Sequence, residues 1–229
     1  MSQSEISPAT PLSVADVVAV LRAAAPPELA EPWDSNQLIC GDPAEPVASV
    51  LLAVDPVTAV VDEAIERGAD MVITHHPLYL RGTDQVSATD PKGRSVHRLI
   101  RAGIALANAH TTLDAAHGGV AAALAAAVGL LATTPLEPNP LDPTQGIGRV
   151  GGLQTPTRLR DLAVAVAAAL PDSAPGLLVG GDLDATVETV AVSGGAGDSL
   201  LAAARSAGAD AFLTADLRHH PASEHLEAG

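Results

Sequence analysis

Apolar and polar positions along the chain follow the rhythm of an α/β protein. Residues 13–24 repeat apolar positions at helical spacing, with Ser13 as the N-cap and Pro26-Pro27 as the stop. Val47 to Val54 is a near-continuous apolar run, which predicts a strand covered on both faces. Asp55-Pro56 then opens a helix carrying Val57, Val60, Val61, Ala64 and Ile65, with Gly68 in the left-handed position after its end. Met71–Thr74 follows as a short buried strand, so the segment reads as a β–α–β unit with parallel strands. After a polar loop, Ser95 caps a helix through Leu99 and Ile100 that Gly103 closes. A strand from Ile104 to Ala109 comes next, and Gly118-Gly119 leads into an alanine-rich helix from Val120.

Pro135, Pro138, Pro140 and Pro143 form the clearest linker in the chain. The expected organisation is therefore a first α/β domain over residues 1–134, a linker over 135–145 and a second α/β domain over 146–229. The second half repeats the same grammar. It predicts a strand at 148–153, a helix from the Thr157 cap through Leu170, a strand at 186–193, a helix at 199–207 and a strand at 211–214. One echo is sharper than grammar. Gly68-Ala69-Asp70 before the Met71 strand is matched by Gly208-Ala209-Asp210, and each strand is followed within a few residues by His-His-Pro. A diverged duplication and a common helix-to-strand joint both account for it.

Composition narrows the function classes. Hydrophobic residues make up 47% of 229 residues while aromatics make up 1%, so a large core has to be built from aliphatic side chains. A formal charge of −15 argues against a nucleic-acid partner or an anionic-membrane surface, each of which needs a basic stripe. The longest apolar run, around Val120 to Ala132, is too short and alanine-rich to span a bilayer. Cys40 is the single cysteine, so no intrachain disulfide forms; with no signal sequence at the N-terminus, a cytoplasmic location is expected.

The candidate chemistry lies where two strands end. Met71–Thr74 runs into His75-His76-Pro77, and the Ile104 strand runs into His110 and then Asp114. Adjacent side chains on a strand point to opposite faces, so two neighbouring ligands require the strand to have ended, which Pro77 marks. Ligands in open α/β sheets collect at the carboxyl ends of strands. Imidazole with carboxylate suits zinc, iron, manganese or nickel. His75, His76 and Asp114 are the expected ligands. His110, four residues before Asp114, is a further ligand, a capped loop histidine or, as favoured here, a partner that orients a ligand. Two other polar groups carry weaker signals. Gly194-Gly195-Ala196-Gly197-Asp198-Ser199 fits a tight strand-to-helix turn better than an anion cradle. Asp216, Arg218, His219, His220 and Glu224 are either ligands or a solvated helix start. Cys40 has no histidine near it in sequence, and no Ser-His-Asp nucleophile elbow is present.

Taken in order, these residues resemble the Nif-three-like family of dinuclear metal-centre proteins, also called GTP cyclohydrolase I type-two homologues. The resemblance is carried by Trp33-Asp34-Ser35-Asn36 with Leu38 and Gly41, by Thr74-His75-His76-Pro77-Leu78, and by His110-Thr111-Thr112-Leu113-Asp114 with Gly118-Gly119-Val120. It continues in Gly146 to Gly151, Ser193 to Gly197 and Gly208 to Thr214. It implies two interlinked α/β domains with mostly parallel or mixed sheets flanked by helices, a toroidal homohexamer and up to two divalent metal ions per subunit. Both histidines of the His-His-Pro motif and the acid of the His-Thr-x-Leu-Asp motif would be ligands, which are His75, His76 and Asp114 here. The family's remaining histidine and bridging glutamate belong to a motif that would fall after Gly229. His220 and Glu224 copy its spacing within the preceding motif, so no ligand role passes to them. The implied function is metal-dependent hydrolysis of a nucleotide or related small molecule. The alternative is a non-catalytic metal-binding scaffold or regulator.

Overall fold

A computed structural model of the chain describes residues 11–228. It divides into two compact units, one ending at Thr112 and the other beginning at Leu113. This places the division ahead of the proline-rich stretch. Leu131–Thr134, assigned from sequence to the first domain, pairs with Arg149–Arg158 in the second unit's sheet. Glu137–Pro138, inside the expected linker, pairs with Gly146–Ile147. The physical reason is that four prolines break long elements without preventing short edge pairings.

The first unit is built on a four-stranded sheet ordered Leu38–Cys40, Ala105–Asn108, Met71–Thr74, Val50–Ala53. The last three strands are parallel, with Ala53, Thr74 and Asn108 in register, and Leu38–Cys40 runs antiparallel to Ala105–Asn108. Side-chain alternation divides the core between the two faces. Val72 and Leu106 pack with Val61, Ala64 and Leu99 of the helices Thr58–Arg67 and Pro91–Ala102. Met71, Ala105 and Ala107 pack on the opposite face with Val14, Val17, Val18 and Leu21 of helix Val14–Ala24. Met71, Leu99 and Leu106 are almost fully buried, each worth roughly 1.5–3 kcal/mol relative to exposure.

Helix ends follow local chemistry. Ser13 caps the first helix in a reciprocal capping box with Asp16, as expected. The third helix begins a turn earlier than expected. The Asp90 carboxylate accepts from the Lys92 and Gly93 backbone N–H groups and Pro91 takes the first turn, whereas Ser95 is buried and donates to the Pro91 carbonyl. The Val47–Val54 run is not one doubly covered strand. Pro46–Val47 pairs with Leu12–Ser13, and Val50–Ala53 is an edge strand that leaves Leu52 72% exposed. An apolar run alone does not separate a central strand from an edge strand that is covered on only one face.

The second unit has a mixed four-stranded sheet ordered Ala211–Leu213, Thr186–Val192, Arg149–Arg158, Leu131–Thr134. Arg149–Arg158 runs five residues beyond the expected end, so the following helix starts at Leu159. Val187, Val190 and Val192 pack with Leu162, Val166 and Ala125, while Ala191 faces Leu136, Leu200 and Ala204. The Gly-Ala-Asp echo is structural. Gly68 and Gly208 both adopt positive φ, at 61° and 74°. Asp70 accepts from the Ala48 and Ser49 N–H groups at 2.8 Å each, and Asp210 accepts from those of Glu188 and Thr189 at 2.9 Å each. In both units the aspartate ties the start of one parallel strand to its neighbour.

Candidate metal centre

The parallel strands of the first unit deliver three chain ends to one sheet edge, and the antiparallel strand delivers the turn that precedes it. The ladder continues past the strand: the His75 N–H donates to the Ala53 carbonyl at 3.1 Å and the His76 N–H to that of Val54 at 2.8 Å. The Thr74 hydroxyl then donates to the His76 carbonyl at 2.7 Å, turning the backbone so that neighbouring imidazoles reach one side. Their ring centroids lie 5.0 Å apart. His110, from the end of the adjacent strand, brings its ring 5.2 Å from that of His75 and 5.5 Å from that of His76. One ring nitrogen from each of the three falls within 4.8 Å of the others.

All three rings are held through Nδ1. His75 Nδ1 bonds the Ala109 carbonyl at 3.1 Å, His76 Nδ1 the Asp55 carboxylate at 2.7 Å, and His110 Nδ1 the Asp34 carboxylate at 2.7 Å. These acceptors assign the Nδ1 proton in each neutral ring, which leaves Nε2 as the nitrogen carrying the lone pair. A carbonyl or carboxylate behind an imidazole is the arrangement that orients metal ligands and raises their basicity.

Asp34 is the most heavily engaged carboxylate here, and its side chain is fully buried. Burial works against its charge. Hydrogen bonds from the Thr111 hydroxyl, His110, Asn36 and the Ser35 N–H outweigh that and hold its pKa at about 2. The Thr111 N–H also donates to it at 2.9 Å. Asn36 carries the second layer, its amide oxygen accepting from the His110 N–H and the Thr112 hydroxyl. The Trp33 to Asn36 segment, read from sequence as a turn, is the clamp that fixes His110.

The donor set suits a divalent cation. Two nitrogens on one tetrahedral zinc at about 2.0–2.1 Å from the ion stand about 3.4 Å apart. Small side-chain rotations close a 4.8 Å spread to that value. Imidazole nitrogens suit zinc, iron and nickel alike, so the cluster does not name the metal.

Of the expected site residues, the structure brings His75, His76 and His110 together. His110 was favoured from sequence as an orienting partner. It lies in the cluster with the other two, and its ring is itself oriented by Asp34. Asp114 is not one of the three. It lies on the short helix Thr111–Ala115, and its carboxylate faces Gly194, where an added Cβ would sit 3.6 Å from Oδ1. Asp34 and Asp55 were missed as imidazole partners. The available signal was position, since Asp55 directly follows the Val50–Ala53 strand at the edge where His75 and His76 emerge.

The weaker groups resolve as structure. Gly195 has φ 63°, and a Cβ at Gly197 would lie 2.6 Å from the Thr214 hydroxyl, so the Gly194 to Ser199 segment is a tight turn. His219, His220 and Glu224 lie on the exposed helix His219–Glu227, and Arg218 pairs with Asp198. Cys40 is half-buried; burial pushes its thiol up to about 11, against a weaker opposing hydrogen bond from the Leu106 backbone, so it is no ready nucleophile. Among the described residues, no helix is long and apolar enough to cross a membrane.

Comparison with known proteins identifies the family. A family model described as Duf34/NIF3 (NGG1p interacting factor 3) matches residues 12–229. A Streptomyces coelicolor protein named GTP cyclohydrolase 1 type 2 homolog is 54% identical over 213 residues, covering 92% of this chain and 75% of that protein. A Mycobacterium tuberculosis protein of the same name is 36% identical, covering 94% of this chain and 84% of its own length. Among solved structures, a Staphylococcus aureus hypothetical protein superposes with a TM-score of 0.87 at 27% identity, covering 96% of this chain and 84% of that one. A Bacillus cereus protein related to NIF3 gives 0.86 at 24% identity, covering 95% and 86%.

Proposed function

This chain belongs to the Duf34/NIF3 family, and from that premise we propose that its imidazole cluster is a divalent-metal site serving hydrolysis of a nucleotide. The observation that carries the reading is the convergence of three imidazoles, each locked through Nδ1. His75, His76 and His110 would hold one or two ions through Nε2. A bound ion supplies a Lewis acid that polarises the substrate and brings the pKa of water from about 15.7 toward about 7. The chain's own part is orientation. Asp34, Asp55 and the Ala109 carbonyl fix the three rings so that little reorganisation remains on binding. The name of the relatives, GTP cyclohydrolase 1 type 2 homolog, directs the choice of substrate to GTP. The reaction would be hydrolytic opening of the purine at C8.

The test is GTP turnover with added zinc, manganese, iron or nickel, beside a His75→Ala, His76→Ala double variant. Turnover confined to the metal-supplied native protein supports the reading, and equal rates from the two proteins refute it. A second reading, a metal-binding scaffold without turnover, is favoured by one observation. Asp34 and Asp55 already bond imidazoles, and Asp34 is held at about 2, which makes it a poor general base. Stoichiometric metal with no hydrolysis across a nucleotide panel would select it. Self-association into the family's hexamer is also proposed. It is supported by the exposed apolar side chains Val50, Leu52 and Val54 on and just after an edge strand of the first unit. A cytoplasmic location completes the reading.

A further inference from the structure

We infer that a cleft beside the imidazole cluster is the recognition site for a nucleoside phosphate, with the Arg81 guanidinium taking the phosphate; this rests on the nucleotide reading above and assigns its binding determinants. The cleft lies wholly in the first unit and has a volume of about 560 Å³. That is too large for an inorganic anion alone and falls within the range of small-molecule pockets, roughly 300–1,000 Å³. Asp34 lines the cleft, and its fully buried carboxylate holds His110 behind that wall.

The walls divide by chemistry. Ile39 and Leu80 supply apolar surface, and Ser35 and Gln37 supply polar groups. Tyr79 supplies one of only three aromatic rings in the chain. Its hydroxyl is buried with no hydrogen-bond partner. Arg81 also lines the cleft, is exposed, and makes no ion pair among the described residues. Arg81 is the one cationic side chain among the residues that line the cleft, in a chain of net charge −15, and a guanidinium is suited to bidentate phosphate contact. The Lys92 ammonium, 5.8 Å from the Tyr79 ring centroid, adds positive potential behind it. The Asp34 carboxylate is also charged, but it is fully buried and taken up by hydrogen bonds from Thr111, His110, Asn36 and the Ser35 N–H.

Equilibrium dialysis with GMP, guanosine and inorganic phosphate tests the assignment on the full chain. The proteins are the native form, Arg81→Ala, Tyr79→Phe, and each of these in the His75→Ala, His76→Ala background. The native protein should bind GMP more tightly than guanosine. Arg81→Ala should weaken GMP by about 10- to 100-fold and leave guanosine unchanged, the worth of one charged hydrogen-bonded contact. Tyr79→Phe should weaken both nucleoside ligands by about tenfold. The Arg81 effect should persist in the histidine background, which separates it from phosphate held at the metal centre. Failure of all three probes to bind, or an Arg81→Ala protein that matches native affinity for GMP, overturns the assignment. So does a GMP preference lost in the histidine background alone. If the binding pattern holds while no turnover is found, the hydrolytic reading fails and the recognition site stands.

Discussion

Replacing Asp34 by asparagine isolates the contribution of the clamp behind His110. The carboxylate accepts from the His110 ring, the Thr111 hydroxyl and N–H, Asn36 and Ser35, and lies near pKa 2 against 3.8 for an ordinary aspartate. That difference corresponds to about 2 kcal/mol of stability. The sign follows from the direction of the shift. A carboxyl group with a depressed folded pKa stabilises the fold fully above its unfolded value, and the contribution is lost as pH falls toward the folded value. It should be nearly complete at pH 5 and about half gone at pH 3. Asparagine also turns an amide N–H₂ toward groups that donate, a cost that does not vary with pH. Urea unfolding of both proteins at pH 5 and pH 3 measures the difference. We predict that Asp34→Asn is destabilised by about 2 kcal/mol or more at pH 5, with the gap narrowing by about 1 kcal/mol at pH 3. A gap of the same size at both pH values would refute the reasoning.

Three further outcomes are expected. Cys40, its thiol pushed up to about 11 chiefly by burial, should react slowly with iodoacetamide at pH 8 in the folded protein and fast in urea; equal rates would mean that the site is open. Arg149 is buried and donates to the Gly146 and Gly148 carbonyls at 2.8 and 2.9 Å, with longer bonds to those of Ala115 and Ala116. Arg149→Met should therefore cost about 3 kcal/mol or more by leaving buried acceptors unpaired, and an unchanged urea midpoint would contradict this. Leu52→Glu on the exposed edge strand should lower the mass found by light scattering without altering the far-UV circular dichroism, and an unchanged mass would remove this edge from the proposed self-association.

The parallel core of the first unit was legible because its strands are short aliphatic runs punctuated by Gly68 and Gly103, both left-handed helix ends in the structure. His75 and His76 were legible because they directly follow a buried strand and are stopped by proline, whereas His219 and His220, in the same letters, begin an exposed helix. Two kinds of feature were less accessible. Leu38–Cys40 is three residues long and antiparallel at a sheet edge, and Leu131–Thr134 is an edge strand whose partner comes later in the chain. Neither has a periodicity long enough to register. The second kind depends on distance in space. Asp34 meets His110 across 76 positions and Asp55 meets His76 across 21, so local sequence shows neither pairing. The weight of His110 depended on them, since a histidine four residues before an aspartate reads as a helper until its own carboxylate is seen behind it. The Gly-Ala-Asp echo was visible as letters, but its meaning, an aspartate bridging two strand starts, came from the backbone bonds it makes.

The central claim, that three imidazoles meet around a common cation, is tested most directly by titrating cobalt(II) into metal-free native, His75→Ala and His110→Ala proteins while recording the visible spectrum. The account predicts a saturable d–d band in the native protein and a loss of affinity of at least tenfold in each single variant. A His110→Ala protein that binds with native affinity and an unchanged spectrum would contradict it.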